Sequence, residues 1–245
     1  FTSAALTLAL AAGMALPAFA AAKPSFSKDE TVYAVMAPDG SVTSTTVSAH
    51  LYNAAGLSGV TDRSTLTDIV NTESDAAFTQ NGDSLTWDTT DTDVYYKGNT
   101  SRALPVSAAV TYTLDGETAP LENLLGKSGP LTIRIDLTNN ETGTVTVNGA
   151  ERTVVTPFIT AVGVVLGEDA SNVTLEHGLL ESAAKSTVAA FVTLPGVRGA
   201  LSGLLPDSFS AAEDYLQDSV TVEADVENLS APQILLASAA SAEAL

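Results

Sequence analysis

The chain has 245 residues, no cysteine, ten Lys plus Arg against 29 Asp plus Glu, and a net charge of −19. That balance argues against nucleic acid as a partner, because affinity for a phosphate backbone comes mainly from Lys and Arg releasing counterions; it disfavours anionic membrane surfaces for the same reason. Without cysteine no disulfide staples the fold, so the mature part, roughly 220 residues, must bury its own core, which that length permits.

In chain order, the first 20 residues carry no charge and end Ala18-Phe19-Ala20. An apolar run closed by a small-x-small triplet reads as the core and cleavage site of a secretory signal peptide. Residues 1–22 are assigned to this leader, with cleavage after Ala20 or Ala22. The basic n-region and the start Met are missing, so the leader is expected to be truncated at its start. A Cys-free, Ala-rich exported chain points to a bacterium. No later segment offers the run of about 18 apolar residues that a spanning helix needs.

Residues 23–28, KPSFSK, read as a linker. Two Val/Thr-rich runs then flank Pro38-Asp39-Gly40, which predicts a hairpin over 31–52. STLTDIVN (64–71) has the makings of one or two helical turns capped by Ser64. Strand character resumes around Trp87 and Tyr95-Tyr96. Beyond Pro105, period-two alternation predicts strands at 106–114, 131–139, 159–166, 172–178, 186–194 and 219–229. A hairpin over 144–156 turns at Asn148-Gly149. PLENLLG (120–126) reads as a short helical turn closed by glycine. RGALSGLL (198–205) and SAAEDYLQ (210–217) look helical. About seven short strands at intervals of about ten residues predict a mainly β fold: an antiparallel, Ig-like β-sandwich over 105–230, a smaller β-rich lobe over 23–104 and a few short helices. Residues 231–245 are expected to be a tail leading to a further C-terminal region.

Gly126-Lys127-Ser128 ends like a P-loop, but a P-loop needs a glycine five residues before Gly126, where Leu121 stands. Strand-forming residues follow Gly129-Pro130 instead of a helix, so no nucleotide is expected there. Ser182-Ala183-Ala184-Lys185 matches the S-x-x-K of acyl-transferring enzymes, and Lys127-Ser128-Gly129 mimics their K-T-G box. The order along the chain is reversed and 180–187 lies between strands, so acyl transfer is discounted. His50 and His177 are expected at strand ends, in solvent, and no triad is assigned.

Asp88, Asp91 and Asp93 cluster in WDTTDTD and are the candidate calcium ligands, although the spacing lacks the glycine and the bidentate Glu of a dedicated loop. A polar surface turn is the favoured reading. No catalytic or cofactor-binding residue is assigned, and no cofactor is expected. The alternative is a secreted wall or polysaccharide hydrolase with a carboxylate pair; against it stands a shortage of aromatic residues for a sugar platform, with Trp87 the sole tryptophan.

Five blocks carry a resemblance: KDETVYAVMAPDGSVTSTTVS (28–48), LTWDTTDTDVYYKGNTSRALPVSAAVTYTLDG (85–116), LENLLGKSGPLTIRIDLTNNE (121–141), VVTPFITAVGVVL (154–166) and VTLPG (192–196). In order and spacing the chain resembles the N-terminal region of an uncharacterised family of exported bacterial envelope proteins with Leu-x-x-Gly heptad repeats downstream. The resemblance implies a non-catalytic, membrane-associated protein at the cell surface or outside the cell. Its ectodomain would serve as a binding or spacer module for an envelope or extracellular partner.

Overall fold

The computed structural model describes residues 6–10, 26–147, 149–183, 185–201 and 215–240. Most of the expected leader therefore lies outside the described residues, as does most of the helix expected over 210–217. The chain divides into two compact units: a smaller one of Ala9–Ala34 and Ser44–Arg102, and a larger one of Phe1–Leu8, Val35–Thr43 and Ala103–Leu245. The last division along the chain falls between Arg102 and Ala103. The tip of the first hairpin, however, groups with the larger unit.

β1 (Leu6–Leu10), β2 (Ser27–Met36) and β3 (Val42–Tyr52) run across the division, the last two mostly in the smaller unit, and β4 (Thr61–Arg63), β5 (Thr67–Asn71), β6 (Phe78–Asn81), β7 (Ser84–Trp87) and β8 (Asp93–Asn99) lie in the smaller unit. They form one sheet in the order β1-β2-β3-β8-β5 and another in the order β4-β7-β6. Val47, Ala49 and Leu51 of β3, Val94 and Tyr96 of β8, and Leu85 and Trp87 of β7 join one buried cluster. Trp87 lies against Phe78 and Tyr96, with ring centroids 5.1 and 5.6 Å away.

Two expectations fail here. Residues 67–71 are a strand, because Thr67, Ile69 and Val70 are β-branched and β8 offers them a ladder. The expected linker already enters β2 at Ser27.

The larger unit is an antiparallel β-sandwich. Its strands are β9 (Val106–Leu114), β10 (Glu117–Thr118), β11 (Gly129–Asn139), β12 (Thr142–Val147), β13 (Ala150–Val155), β14 (Phe158–Leu166), β15 (Ala170–Leu175), β16 (Leu179–Ala183), β17 (Ser186–Thr193), β18 (Ser219–Val226) and β19 (Gln233–Ala240). One sheet has the order β10-β9-β11-β18-β15 and the other β16-β17-β14-β19, with β12-β13 as a separate hairpin. Strict alternation sets the inner faces: Leu131, Ile133 and Ile135 of β11 and Val162, Val164 and Leu166 of β14 are buried. Helical structure among the described residues includes a 3₁₀ turn, Leu121–Asn123, and an α-turn, α1 (Val197–Ala200).

The segment expected to be a tail contains β19 instead. Its Ile234, Leu236 and Ser238 are buried, and it pairs with β14 over eight consecutive residue pairs from Phe158↔Ala240 to Val165↔Gln233. At the tip of the first hairpin, Gly40 has φ +89°, and a Cβ there would stand 2.3 Å from the Ala108 carbonyl oxygen. Only glycine meets both demands.

Candidate functional site

In the smaller unit several ionisable groups gather around Asp62. This aspartate is 3% exposed. Lys28 Nζ reaches both its carboxylate oxygens at 3.0 and 2.9 Å, and the Tyr96 hydroxyl donates to Oδ2 at 2.5 Å. Lys28 also donates to the Arg63 carbonyl at 3.1 Å, pairs with Glu30 at 2.9 Å and stands 5.9 Å from the centre of the Tyr96 ring. The three strands that supply Lys28, Asp62 and Tyr96 are β2, β4 and β8, so the cluster ties one sheet of the unit to the other.

Burial works against the charged Lys28, but the hydrogen bonds to Asp62 and Glu30 more than offset it and raise its pKa. Burial, reinforced by Asp62, raises the pKa of Tyr96. Both groups therefore hold their protons at neutral pH and offer neither a base nor a nucleophile. The arrangement is a saturated buried ion pair, suited to fixing how strands meet. Sequence reasoning missed it because Asp62 lies 34 residues from both Lys28 and Tyr96. No local spacing announces such a cluster.

The aspartates proposed for calcium do not act together. Asp88 accepts from the Ser58 hydroxyl at 3.2 Å, the backbone N–H of Asp91 donates to Thr89 Oγ1 at 3.1 Å, and Asp93 accepts from Thr92 Oγ1 at 2.7 Å. Among the described residues no three His, Asp or Glu side chains converge as a metal cage would. The Thr89–Asp91 and Thr92–Asp93 contacts are local Ser/Thr-type turn contacts, whereas Asp88 is held by Ser58, thirty residues away.

Asp93 instead meets His50, whose Nε2 lies 2.8 Å from Oδ1. The Thr92 hydroxyl first, and His50 second, lower the pKa of the Asp93 carboxyl. His50 is not the solvated strand end expected from the sequence. It sits within β3, stacked on Tyr95 with centroids 4.2 Å apart and planes within 4°. The cross-strand pair His50↔Tyr95 places the two rings side by side on one face of the sheet. Among the described residues no serine hydroxyl is bonded to His50, so no triad forms around it. His177 is exposed, in the bend before Gly178.

The Gly126-Lys127-Ser128 triplet has a structural role in the larger unit. Gly126 takes φ +78° after the 3₁₀ turn and donates to the Leu229 carbonyl at 2.9 Å. Ser128 Oγ accepts the Asn228 N–H at 2.9 Å, and Leu229 N–H donates to the Lys127 carbonyl at 2.8 Å. The triplet thus clasps the 228–229 turn, and its backbone N–H groups are not gathered into a phosphate cradle. Ser182 lies near the end of β16 and Lys185 in the turn to β17, where its ammonium lies 3.7 Å from Glu168. That hairpin lacks the helix that would set a lysine one turn from a nucleophilic serine.

A shallow cleft of about 480 Å³ in the larger unit is lined by Pro38, Asp39, Tyr112, Thr118 and Leu121, among others. The Tyr112 hydroxyl donates to the Pro38 carbonyl at 3.1 Å, and burial, then the Asp39 charge, raises its pKa. Asp39 is in turn held below the usual carboxylate range by the hydroxyl and the N–H of Ser41. The cleft therefore pairs an aspartate already bonded within its own turn with a tyrosine bonded to backbone, and neither is poised for proton transfer. Neither a scan of protein-family models nor a search of curated proteins finds a match to the chain.

Proposed function

We propose that the protein is a non-catalytic, exported cell-envelope module whose β-rich units bind a partner or hold other parts at a distance. The observation that carries this reading is the disposition of the polar groups inside both units. Around Asp62 every charge is met by a partner. In the sandwich, Asn139 Nδ2 donates to the carbonyls of Thr156 at 2.8 Å and Pro195 at 3.1 Å, and Thr160 shares a 2.9 Å hydrogen bond with Ser238. Among the described residues Trp87 Nε1 alone is a buried side-chain polar atom without a partner. Groups spent in this way hold strands together, whereas catalysis needs a poised acid, base or nucleophile. The uncharged run ending Ala18-Phe19-Ala20 and the resemblance to exported envelope proteins supply the location.

Expression in a bacterial host tests export. The secreted product is expected to begin at Ala21 or Lys23 on N-terminal sequencing; retention of Phe1 would refute it. Incubation with purified cell-wall polymer tests the absence of catalysis. Release of soluble fragments, abolished by replacing a single carboxylate, would make the protein a hydrolase instead.

A further inference from the structure

The cleft beside the tip of the first hairpin holds a backbone donor and a backbone acceptor that the fold leaves over. β9 lies next to the edge of its sheet, and β10 covers only its last two residues, Thr113 and Leu114. In an antiparallel strand alternate residues turn both their backbone groups to the same side. Val110 and Tyr112 face the open side of β9. Val110 N–H donates to the Asp39 carbonyl at 2.9 Å, and the Tyr112 carbonyl accepts from Ala119 N–H at 3.3 Å. The Val110 carbonyl and the Tyr112 N–H point the same way, and no group among the described residues bonds either of them. Pro120, next after Ala119, has no N–H with which to carry the ladder on. Both residues line the cleft of about 480 Å³, a volume within the range of ligand sites.

The walls of the cleft are fixed. On one side Gly40 lets the hairpin tip press against the Ala108 carbonyl, and the Tyr112 hydroxyl donates to the Pro38 carbonyl at 3.1 Å. On the other side Leu121 is buried and opens the 3₁₀ turn that carries Glu122. Two of the lining residues are charged, Asp39 and Glu122, and both are acidic and exposed. Both hydrogen bonds from Ser41 to Asp39 end on Oδ1, which leaves Oδ2 for a ligand.

We propose that this cleft takes an extended peptide segment of a partner protein, of the pattern basic–any–basic, as a one-residue parallel bridge to β9, an inference that rests on the binding-module reading above. The middle residue of the segment donates its N–H to the Val110 carbonyl and accepts the Tyr112 N–H at its own carbonyl. An antiparallel segment would need the Val110 N–H and the Tyr112 carbonyl as well to complete its rungs, and Asp39 and Ala119 already hold those. The parallel direction sets the residue before the bridge toward Asp39 and the residue after it toward Ala119 and Glu122, so a base is favoured at each. The net charge of −19 attracts such a cationic segment and repels an acidic one.

An NMR titration of the full chain with the capped tripeptide acetyl-Arg-Val-Arg-amide, from about 10 µM to about 5 mM, covers the weak affinities of one bridge and two exposed charge pairs. Saturable binding is expected, with the Tyr112 amide proton moving downfield as its hydrogen bond forms. N-methylation of the valine removes its donor and should weaken binding by about tenfold. Asp39→Asn keeps an acceptor for Ser41, so its turn survives; it and Glu122→Gln should each weaken binding by about threefold. Glu181→Gln, in the other sheet, should leave the affinity unchanged, and acetyl-Glu-Val-Glu-amide should not bind. Binding that N-methylation does not weaken, or a Tyr112 amide that stays put at saturation, overturns the proposal. Equal losses from Glu122→Gln and Glu181→Gln also overturn it, because they would mean attraction to the acidic surface at large. Absence of saturable binding over the whole range does so too. None of these results touches the non-catalytic, exported character of the protein, which stands or falls by the N-terminus of the secreted product and by wall-polymer release.

Discussion

In the five-stranded sheet Ile133 and Val222 face the core while Arg134, Asp136 and Glu223 face solvent. In the four-stranded sheet the sense is partly reversed. Thr160, Thr193 and Ser238 are buried in one row of the inner face, and Ile159, Val192 and Leu235 stand outside. Both sheets are antiparallel, belong to one unit and follow the same period of two. The difference shows that alternation alone does not say which set of residues a sheet turns inward. Burial follows from what the opposing layer offers. The inner hydroxyl row is tolerable because Thr160 bonds Ser238, and Thr193 donates to the carbonyls of Tyr215 and Gln217.

The largest expected effects come from the inner faces, where the two sheets should behave alike. Ile133 in β11 is 1% exposed and Ile234 in β19 is 2% exposed. Truncating either to alanine should cost about 2–5 kcal/mol, read by urea unfolding. An Ile234→Ala cost near zero would mean that β19 is not part of the fold, and the four-stranded sheet would lose an edge. The hydroxyl row comes next. Thr160→Val keeps the shape but leaves Ser238 Oγ without its partner, for a loss of about 1–3 kcal/mol. The double variant Thr160→Val/Ser238→Ala should recover part of that loss, since no orphaned hydroxyl remains. A double variant worse than the sum of the singles would show that the row is bonded more widely. Ile159→Ala on the outer face should change stability in dilute solution by less than about 0.5 kcal/mol, although the same chemical change costs several-fold more at Ile133.

Much of this architecture is legible in the sequence, and the misses have physical causes. LTIRIDLTN alternates cleanly because one face is wet, so both β11 and its orientation can be read. FITAVGVVL reads as a strand, but with apolar residues at nearly every position its orientation cannot be read at all. QILLASAA reads as part of a tail because alanine and serine are weak strand formers; its ladder to β14 spans some seventy positions of chain, and this pairing sets its state. Thr67–Asn71 reads as helical from a cap-like Ser64, yet Ser64 is itself buried and its hydroxyl accepts the Leu66 N–H at 3.4 Å. For the candidate sites the sequence is informative in one direction only. The faults of spacing around Gly126 and Ser182 can be seen in the letters. The Lys28–Asp62–Tyr96 cluster cannot, because three strands distant in sequence bring it together.

A similarly small effect on stability should follow from making the outer face of the five-stranded sheet less polar. Arg134 and Asp136 form a 2.6 Å ion pair on the outer face of β11, with roughly half of each side chain in solvent. The Asp136 hydrogen bond raises the Arg134 pKa, but an exposed pair of this kind contributes only about 0–1 kcal/mol and is screened further by salt. The double variant Arg134→Val/Asp136→Val should therefore change the unfolding free energy by less than about 1 kcal/mol, with valine's preference for strands offsetting the lost pair. The consequence for association should be larger. The two introduced valines would lie beside Thr132, Thr138 and Thr221, with Glu223 the nearest remaining charge along the paired strand. If apolarity is enough to make a sheet face associate, sedimentation velocity should detect concentration-dependent association in this variant beyond that of the wild type. If the variant behaves as the wild type does, apolarity is not sufficient.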